Sequence, residues 1–250
     1  MIDDPIPHGA AYPGATAEVL REVKRREGDK YVPTAFNPKT RVSGGLARIG
    51  KDRVPAEKSD GQPGFNMFYE VHGTGPTKIA FIMGLNNSCH GWMNEVEEFG
   101  NDPHFSVLVF DNRGFSNSAS PKMRYTTTDM ADDLLDLLDY IGWTDPRSVN
   151  VVGVSMGGMI ALEFCRRHPE RVAGALLQST SPGNLHNLPP FRGLVAFSMA
   201  IGSGILGLTK PEDRALLMIR NMFPRSWLEA PSAKGSDLSN EDSIFNVCTC

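Results

Sequence analysis

Residues 149–167 decide the fold, and they read VNVVGVSMGGMIALEFCRR. The first six are mostly valine, which is typical of a buried strand. Residues 156–167 continue with the pattern of a helix, and a G-x-S-x-G motif at residues 153–157 joins the two. The segment therefore predicts a strand, a sharp turn and a helix, with Ser155 on the turn.

The predicted turn gives Ser155 the setting of a nucleophile. Gly153 and Gly157 are expected because the helix starts almost on top of the strand, so a side chain at either position would collide with the opposite limb of the turn. The helix N-terminus directs N–H groups and the positive end of the helix dipole towards the serine. A developing oxyanion would be stabilised there, with the N–H of Met156 as one donor.

Four further runs of sequence predict strands around this segment. Residues 65–71 alternate apolar and polar side chains, which predicts an edge or half-buried strand. Residues 78–83, 106–110 and 172–178 are short apolar runs, as expected of buried parallel strands. Strands that alternate with helices imply a parallel sheet with right-handed crossovers. Ligands bind such sheets at the carboxyl ends of the strands, so the loops there are the candidates for chemistry.

One predicted helix has both of its ends defined. Apolar residues recur on one face between Met130 and Ile141, and aspartates occupy the other faces. One of the threonines at 126–128 can cap its start, and Gly142 can end it.

The chain divides into three parts by pattern. Residues 1–64 are predicted to be an N-terminal extension or linker with one short helix, and residues 65–182 the α/β core. Residues 183–250 are predicted to be a partial helical lid and an unpatterned tail. The apolar lid residues are compatible with a hydrophobic acyl or ring substrate and equally with core filling; they are Leu194, Phe197, Met199, Ile201 and Leu206.

Composition and charge limit the kinds of molecule that the chain is expected to bind. The chain has 250 residues, 40% of them hydrophobic and 22% charged, with a net charge of −4. No nucleic-acid partner is expected because basic residues are not concentrated in a patch outside the short N-terminal helix. A small-molecule substrate is expected. The cysteines are too few and scattered for a disulfide scaffold, which indicates reduced thiols and a cytoplasmic location; they are Cys89, Cys165, Cys248 and Cys250.

One uncharged stretch, Gly193 to Leu208, is the candidate for a membrane span or for contact with a membrane surface. It is shorter than the ~20 apolar residues that span a bilayer. A buried or pocket-lining pair of helices is expected there. Contact with a membrane surface is not expected, although a surface anchor is the alternative.

The loop after residues 78–83 offers a second oxyanion donor. It begins Gly84-Leu85, and a glycine turn there would let the backbone N–H of Leu85 face the serine beside that of Met156. The plain alternative is a simple turn between a strand and a helix.

These features resemble the α/β-hydrolase family over about residues 65–182. The resemblance rests on F-D-N-R-G at 110–114, G-V-S-M-G-G-M at 153–159 and H-P-E-R-V at 168–172, which are similar to the esterase and lactonase branch. It implies an α/β fold: a mostly parallel sheet with flanking helices, incomplete at its C-terminal edge, plus a partial helical lid.

The resemblance also implies roles for individual residues. Ser155 would be the nucleophile on a nucleophile elbow, and Leu85 and Met156 would supply the oxyanion N–H groups. Asp111 and Arg113 match a position that usually braces the loops. Another residue departs from the common pattern: a methionine, rather than histidine, precedes Gly84. The departure matters little because the donor is a backbone group.

The catalytic base is the missing part. A serine hydroxyl needs an adjacent base, and in this fold an acid and then a histidine follow the serine along the chain. Only His168 and His186 follow Ser155. His168 is assigned to a helix end. His186, and His90 after the oxyanion loop, are therefore the candidates for a substitute base.

The family's last two core strands, which carry the acid and the histidine, have no counterpart before Cys250. We therefore expect a C-terminally truncated chain whose strand at 172–178 is left as an exposed edge, and which is inactive as written unless His90 or His186 serves as the base. The function expected by descent is serine-dependent hydrolysis of an ester or lactone of a small apolar molecule through an acyl-serine intermediate, without a metal or an organic cofactor. The alternative is a non-catalytic relative that binds a small ligand or a partner. The oligomeric state stays open.

Overall fold

The computed structural model describes residues 36–85, 87–182, 216, 220, 225–231 and 239. Several expectations lie outside these residues and receive no structural account: the short N-terminal helix, His186, the apolar residues of the lid, and the stretch 193–208. The chain divides into two compact units, Met1–Pro182 and Gly183–Cys250.

A six-stranded mixed sheet forms the centre of the first unit. Its spatial order is β1-β2-β4-β3-β5-β6. Strands β4, β3, β5 and β6 run parallel, whereas β2 is antiparallel to both of its neighbours. The expected α/β class with flanking helices is confirmed. The strands are β1 (Arg41–Ile49), β2 (Phe65–His72), β3 (Thr77–Ile82), β4 (Phe105–Phe110), β5 (Val149–Val154) and β6 (Val172–Gln178).

Helices cover the sheet on two sides and create two hydrophobic clusters. One cluster joins the sheet to helices α2 and α3, and the other joins it to helix α1 and the short helix before it. Among the described residues the helices are α1 (Met93–Asn101), α2 (Thr127–Tyr140), α3 (Met156–Arg167), the one-turn α4 (Arg225–Leu228) in the second unit, and 3₁₀ turns at Ala56–Lys58 and Cys89–Trp92. None of the described helices is long and apolar enough to cross a membrane.

Helix α2 confirms the sequence prediction at both ends. Thr126 caps its start, and the Thr126 side chain and Asp129 form a reciprocal capping box. The apolar face is buried, including Leu134 and Leu137. Gly142 follows the helix with φ of 79°, the left-handed conformation that a glycine adopts readily at a helix end.

Strand β1 corrects the expectation of a linker over residues 1–64. The nine residues from Arg41 to Ile49 pair with β2 along its whole length and form one edge of the sheet. The segment carries two adjacent glycines and no continuous apolar run, so its local pattern did not predict a strand.

Strand β2 corrects a second expectation. The alternation at residues 65–71 predicted an edge or half-buried strand, yet β2 lies between β1 and β4 and its polar residues Glu70 and His72 are buried. Glu70 and His72 are 0% exposed, and His72 Nε2 lies 3.0 Å from Glu70 Oε2. Arg41 approaches the same carboxylate at 3.6 Å, and Thr40 Oγ1 lies 2.8 Å from His72 Nδ1. Mutual bonding makes the burial of these polar groups tolerable.

Strand β6 is the other edge of the described sheet. Leu176 and Leu177 are 58% and 41% exposed, and because they are consecutive they point to opposite faces of the sheet. Both faces of β6 are therefore open over the last part of the strand, in contrast to the buried strands β3 and β4.

Candidate active site

Ser155 lies on a strained turn between β5 and α3. Its backbone has φ of 54° and ψ of −119°, and the residue is exposed. A non-glycine residue in this region costs about 1–3 kcal/mol and persists only where the surrounding structure enforces it. Such strain at an exposed hydroxyl is typical of a functional residue rather than of a structural turn.

Two glycines let the helix start this close to the sheet. A Cβ atom on Gly153 would overlap the backbone of Gly157, so the helix does begin against the strand that it leaves. A Cβ atom on Gly157 would overlap the carbonyl oxygen of Ile82 instead. The expected collision with the opposite limb of the turn is thus found for Gly153, while Gly157 permits contact with the neighbouring strand β3.

The loop after β3 lies beside the serine. A Cβ atom built on Gly84 would lie 3.3 Å from Cβ and 3.9 Å from Oγ of Ser155. Leu85 follows directly and is half-buried, and Met156 is the first residue of α3. The first N–H groups of a helix have no acceptor within the helix, so that of Met156 is available to a ligand. The structure therefore brings together the segments that carry Ser155, Leu85 and Met156.

Residues after β4 hold the loop after β3 in place. Asn112 Nδ2 donates to the carbonyl of Met83 at 3.0 Å, and Asp111 Oδ1 accepts from the backbone N–H of Cys89 at 2.8 Å. The two ends of the loop are thus fixed by neighbouring side chains. The sequence analysis assigned a bracing role to Asp111 and missed Asn112, whose position at the carboxyl end of a buried strand was the available signal.

Arg113 ties the same segment to helix α2. Its Nε and Nη2 atoms each lie 2.6 Å from a carboxylate oxygen of Asp133, which also receives Arg53 at 2.8 Å. The guanidinium of Arg113 packs over the rings of Phe65 and Tyr125 at 5.0 and 5.4 Å. Burial raises the pKa of Asp133, and the two guanidinium groups act in the opposite direction.

Cys89 does not provide a second nucleophile. The side chain is 0% exposed, and burial together with the charges of Asp111 and Glu70 raises the pKa of its thiol well above the usual value. A protonated, inaccessible thiol is unreactive. The described residues also hold no group of acids, histidines or cysteines arranged for a metal ion.

The histidines occupy different settings. His90 lies in the 3₁₀ turn after the loop, where its ring packs against Phe36 at 5.2 Å and its Nε2 atom is buried with no partner in the described part of the chain. No hydrogen bond links it to Ser155 there. His168 directly follows α3 as its C-cap, in line with its assignment to a helix end, and its Nε2 lies 3.0 Å from Asp132 Oδ1.

Comparison with known proteins agrees with this architecture. A family model of the alpha/beta hydrolase fold matches residues 79–200. The poly(3-hydroxyalkanoate) depolymerase of Ectopseudomonas oleovorans is 37% identical over 82 residues, which are 33% of this chain and 28% of that protein. A protein of Stutzerimonas stutzeri that is provisionally named a carbamate hydrolase is 27% identical over 173 residues, or 67% of this chain and 60% of that protein.

Solved structures show the same fold. A thermophilic esterase from Thermogutta terrifontis superposes with a TM-score of 0.53 at 25% identity, covering 68% of this chain and 57% of the esterase. The chain spans less than two thirds of the length of each of these three proteins. A mixed sheet with a serine on the sharp turn between a central strand and a helix is the architecture of an α/β hydrolase. This chain matches the α/β-hydrolase family model over residues 79–200, and the sheet and helices of its first unit have the α/β-hydrolase fold.

Proposed function

We propose that this chain derives from, and contributes the nucleophile of, a serine hydrolase that acts on an ester or lactone of a small apolar molecule. The observation that carries the proposal is the exposed, strained Ser155 beside the first N–H of α3 and the turn at Gly84. The three related proteins bear the names of a depolymerase, a carbamate hydrolase and an esterase, and these names agree with hydrolysis.

The chemistry would proceed in two steps. Ser155 Oγ would attack the carbonyl carbon while a base takes its proton, and the N–H groups of Leu85 and Met156 would stabilise the oxyanion. Collapse of the tetrahedral intermediate breaks the bond between the carbonyl carbon and the leaving oxygen, which receives the proton. Water then attacks the acyl-serine in the same way, releasing the acid and restoring the hydroxyl.

The identity of the base is the open part of this proposal. His90 is the candidate within the described residues because its Nε2 atom has no partner there and its 3₁₀ turn is continuous with the oxyanion loop. His186 is the second candidate, from the sequence alone. The experiment below treats the two residues separately.

A fluorophosphonate that reacts with activated serines tests the proposal. We expect one adduct per chain by intact mass, located on Ser155 by peptide mapping and lost in Ser155→Ala. If labelling occurs, His90→Ala and His186→Ala identify the base by which of them abolishes it. A folded chain that takes no label would overturn catalysis by this chain as it stands.

A second function follows from one observation: no described side chain hydrogen-bonds to Ser155 Oγ. The alternative is a non-catalytic member of the family that binds a small ligand at the same turn. It predicts a folded chain that takes no label and whose thermal midpoint rises on addition of short-chain acyl esters that it leaves intact.

A further inference from the structure

The turn after β6 holds the backbone of Ser155. The N–H of Ser155 donates to the carbonyl of Gln178 at 2.9 Å, so one polar backbone group of the serine is bound to the end of β6. Its other polar group, the carbonyl, accepts a hydrogen bond from Thr180 Oγ1 at 2.7 Å. Among the described residues, Thr180 is the only side chain that bonds to the backbone of this serine.

The turn after β6 is shaped to make this contact. Ser179 has φ of 49°, so two non-glycine residues with positive φ, Ser155 and Ser179, stand at the carboxyl ends of neighbouring strands. The left-handed residue turns the chain so that Thr180 reaches α3. Gly158, in the first turn of α3, accepts this approach, because a Cβ atom there would lie only 2.5 Å from Cβ and 2.6 Å from Cγ2 of Thr180.

The carbonyl of Ser155 and the N–H of Met156 belong to one peptide unit. A peptide unit is planar, and in the trans form its C=O and N–H point in opposite directions; no cis peptide bonds occur among the described residues. The Ser155 carbonyl also accepts from the N–H groups of Gly158 and Met159. The hydrogen bond from Thr180, the shortest of the three, adds to these and with them fixes the direction of the Met156 N–H. That N–H is the oxyanion donor in the proposed function.

We propose that Thr180 is a positioning residue that aims the Met156 N–H at the oxyanion, acting through the carbonyl of Ser155. This inference rests on the proposed function, since it assigns a means of orienting one of its donors. It requires the hydroxyl of Thr180, whereas the methyl group serves only to fill the space beside Gly158.

The matched variants are Thr180→Val, which removes the hydroxyl at nearly constant shape, and Thr180→Ser, which keeps the hydroxyl. With p-nitrophenyl butyrate as probe, we expect kcat of Thr180→Val to fall by about tenfold with KM within about twofold, less than the loss on removing an oxyanion donor outright. The rate of fluorophosphonate labelling should fall in parallel. Thr180→Ser should restore both rates.

Hydrogen exchange measured by mass spectrometry tests the same contact without any activity. The N–H groups of Gly158 and Met159 donate to the carbonyl that Thr180 holds, at 3.0 and 3.2 Å. In Thr180→Val we expect peptides that cover residues 155–159 to exchange about two- to tenfold faster, the equilibrium factor of one ordinary hydrogen bond. Peptides from α2 should be unchanged, and Thr180→Ser should exchange like the wild type.

The outcomes separate the two proposals. If the wild-type chain takes no label, the proposed function is overturned. The hydrogen-exchange experiment still decides whether Thr180 restrains the turn at Ser155. Equal exchange in Thr180→Val and wild type overturns the inference, as does an active Thr180→Val with wild-type kcat. If Thr180→Ser is as impaired as Thr180→Val, the methyl packing rather than the hydroxyl matters, and the inference is wrong.

Discussion

The loops that follow β4 and β5 lie on either side of β3 and have opposite characters. After β4, Asp111, Asn112 and Arg113 are each at most 2% exposed, and each makes hydrogen bonds to other parts of the first unit. After β5, Ser155 is exposed, its backbone is strained, and its hydroxyl has no described partner. Polar side chains at the same edge of the sheet thus serve as scaffold in one loop and as the candidate nucleophile in the other.

Helix α2 supports both loops through two consecutive residues. Asp133 receives Arg113 from the loop after β4, while Asp132 receives Arg167 and His168 at the end of α3, the helix that starts at the elbow. The first contact is buried, with side chains 1% and 0% exposed, whereas in the second Arg167 is 36% exposed. The loop after β4 should therefore be held far more strongly than the C-terminal end of α3.

Removing the buried charge should have the largest effect. In Asp133→Asn, the guanidinium of Arg113 loses its countercharge while it remains buried. We expect the free energy of unfolding to fall by about 3–5 kcal/mol, the usual cost of breaking a buried ion pair on one side. Urea denaturation followed by tryptophan fluorescence measures the change.

The matched control for Asp133→Asn is Asp139→Asn on the same helix. Asp139 pairs with Arg171 at 2.7 Å but is 51% exposed, so its loss should cost only about 0–1 kcal/mol. Comparable losses in the two variants would mean that the contrast between the buried and the exposed contacts of α2 does not hold.

Relieving the backbone strain at Ser155 should change the free energy of unfolding by a smaller amount, and it should stabilise the fold rather than destabilise it. Glycine adopts positive φ freely, so Ser155→Gly should relieve strain of about 1–3 kcal/mol and lose part of that gain to the greater freedom of its unfolded chain. Ser155→Ala keeps the strain and removes only the hydroxyl. We therefore expect Ser155→Gly to be about 1 kcal/mol more stable than Ser155→Ala in urea unfolding, and the reverse order would show that the turn is not strained.

Local patterns sufficed to predict the turn at Ser155 and helix α2 from the sequence. The valine run before Ser155, the glycines around it and the capping residue Thr126 all act on neighbours within a few positions, which a single sequence displays. The same holds for β3 and β4, whose apolar runs are continuous.

Features that depend on contacts between residues far apart along the chain could not be predicted from the sequence. The alternation in β2 implied one solvent-facing side, because nothing local indicates that Arg41 and Thr40 cover Glu70 and His72. Thr180 and Asn112 were missed for the same reason: their partners lie 25 and 29 positions away. A contact made only by the folded sheet leaves no periodic signal.

The contact between α2 and the end of α3 should give the smallest effect, and one that depends on pH. Although partial burial acts to raise it, hydrogen bonds from Arg167 and His168 lower the pKa of Asp132 from its usual 3.8. A carboxyl whose pKa is lower in the folded state stabilises the fold above its unfolded pKa, and the contribution is lost as the pH falls through the folded value. At pH 7, Asp132→Asn should thus cost about 0.5–1 kcal/mol.

The pH dependence of Asp132→Asn separates this contact from simple packing. Unfolding free energies of the variant and the wild type should differ by a constant amount above about pH 5 and converge below pH 4, where the unfolded carboxyl, with its usual pKa of 3.8, takes up a proton. A difference that persisted unchanged to pH 2.5 would mean that shape rather than charge holds α3 to α2. Convergence would show that a charge pair on α2, rather than packing alone, restrains the helix that carries the elbow.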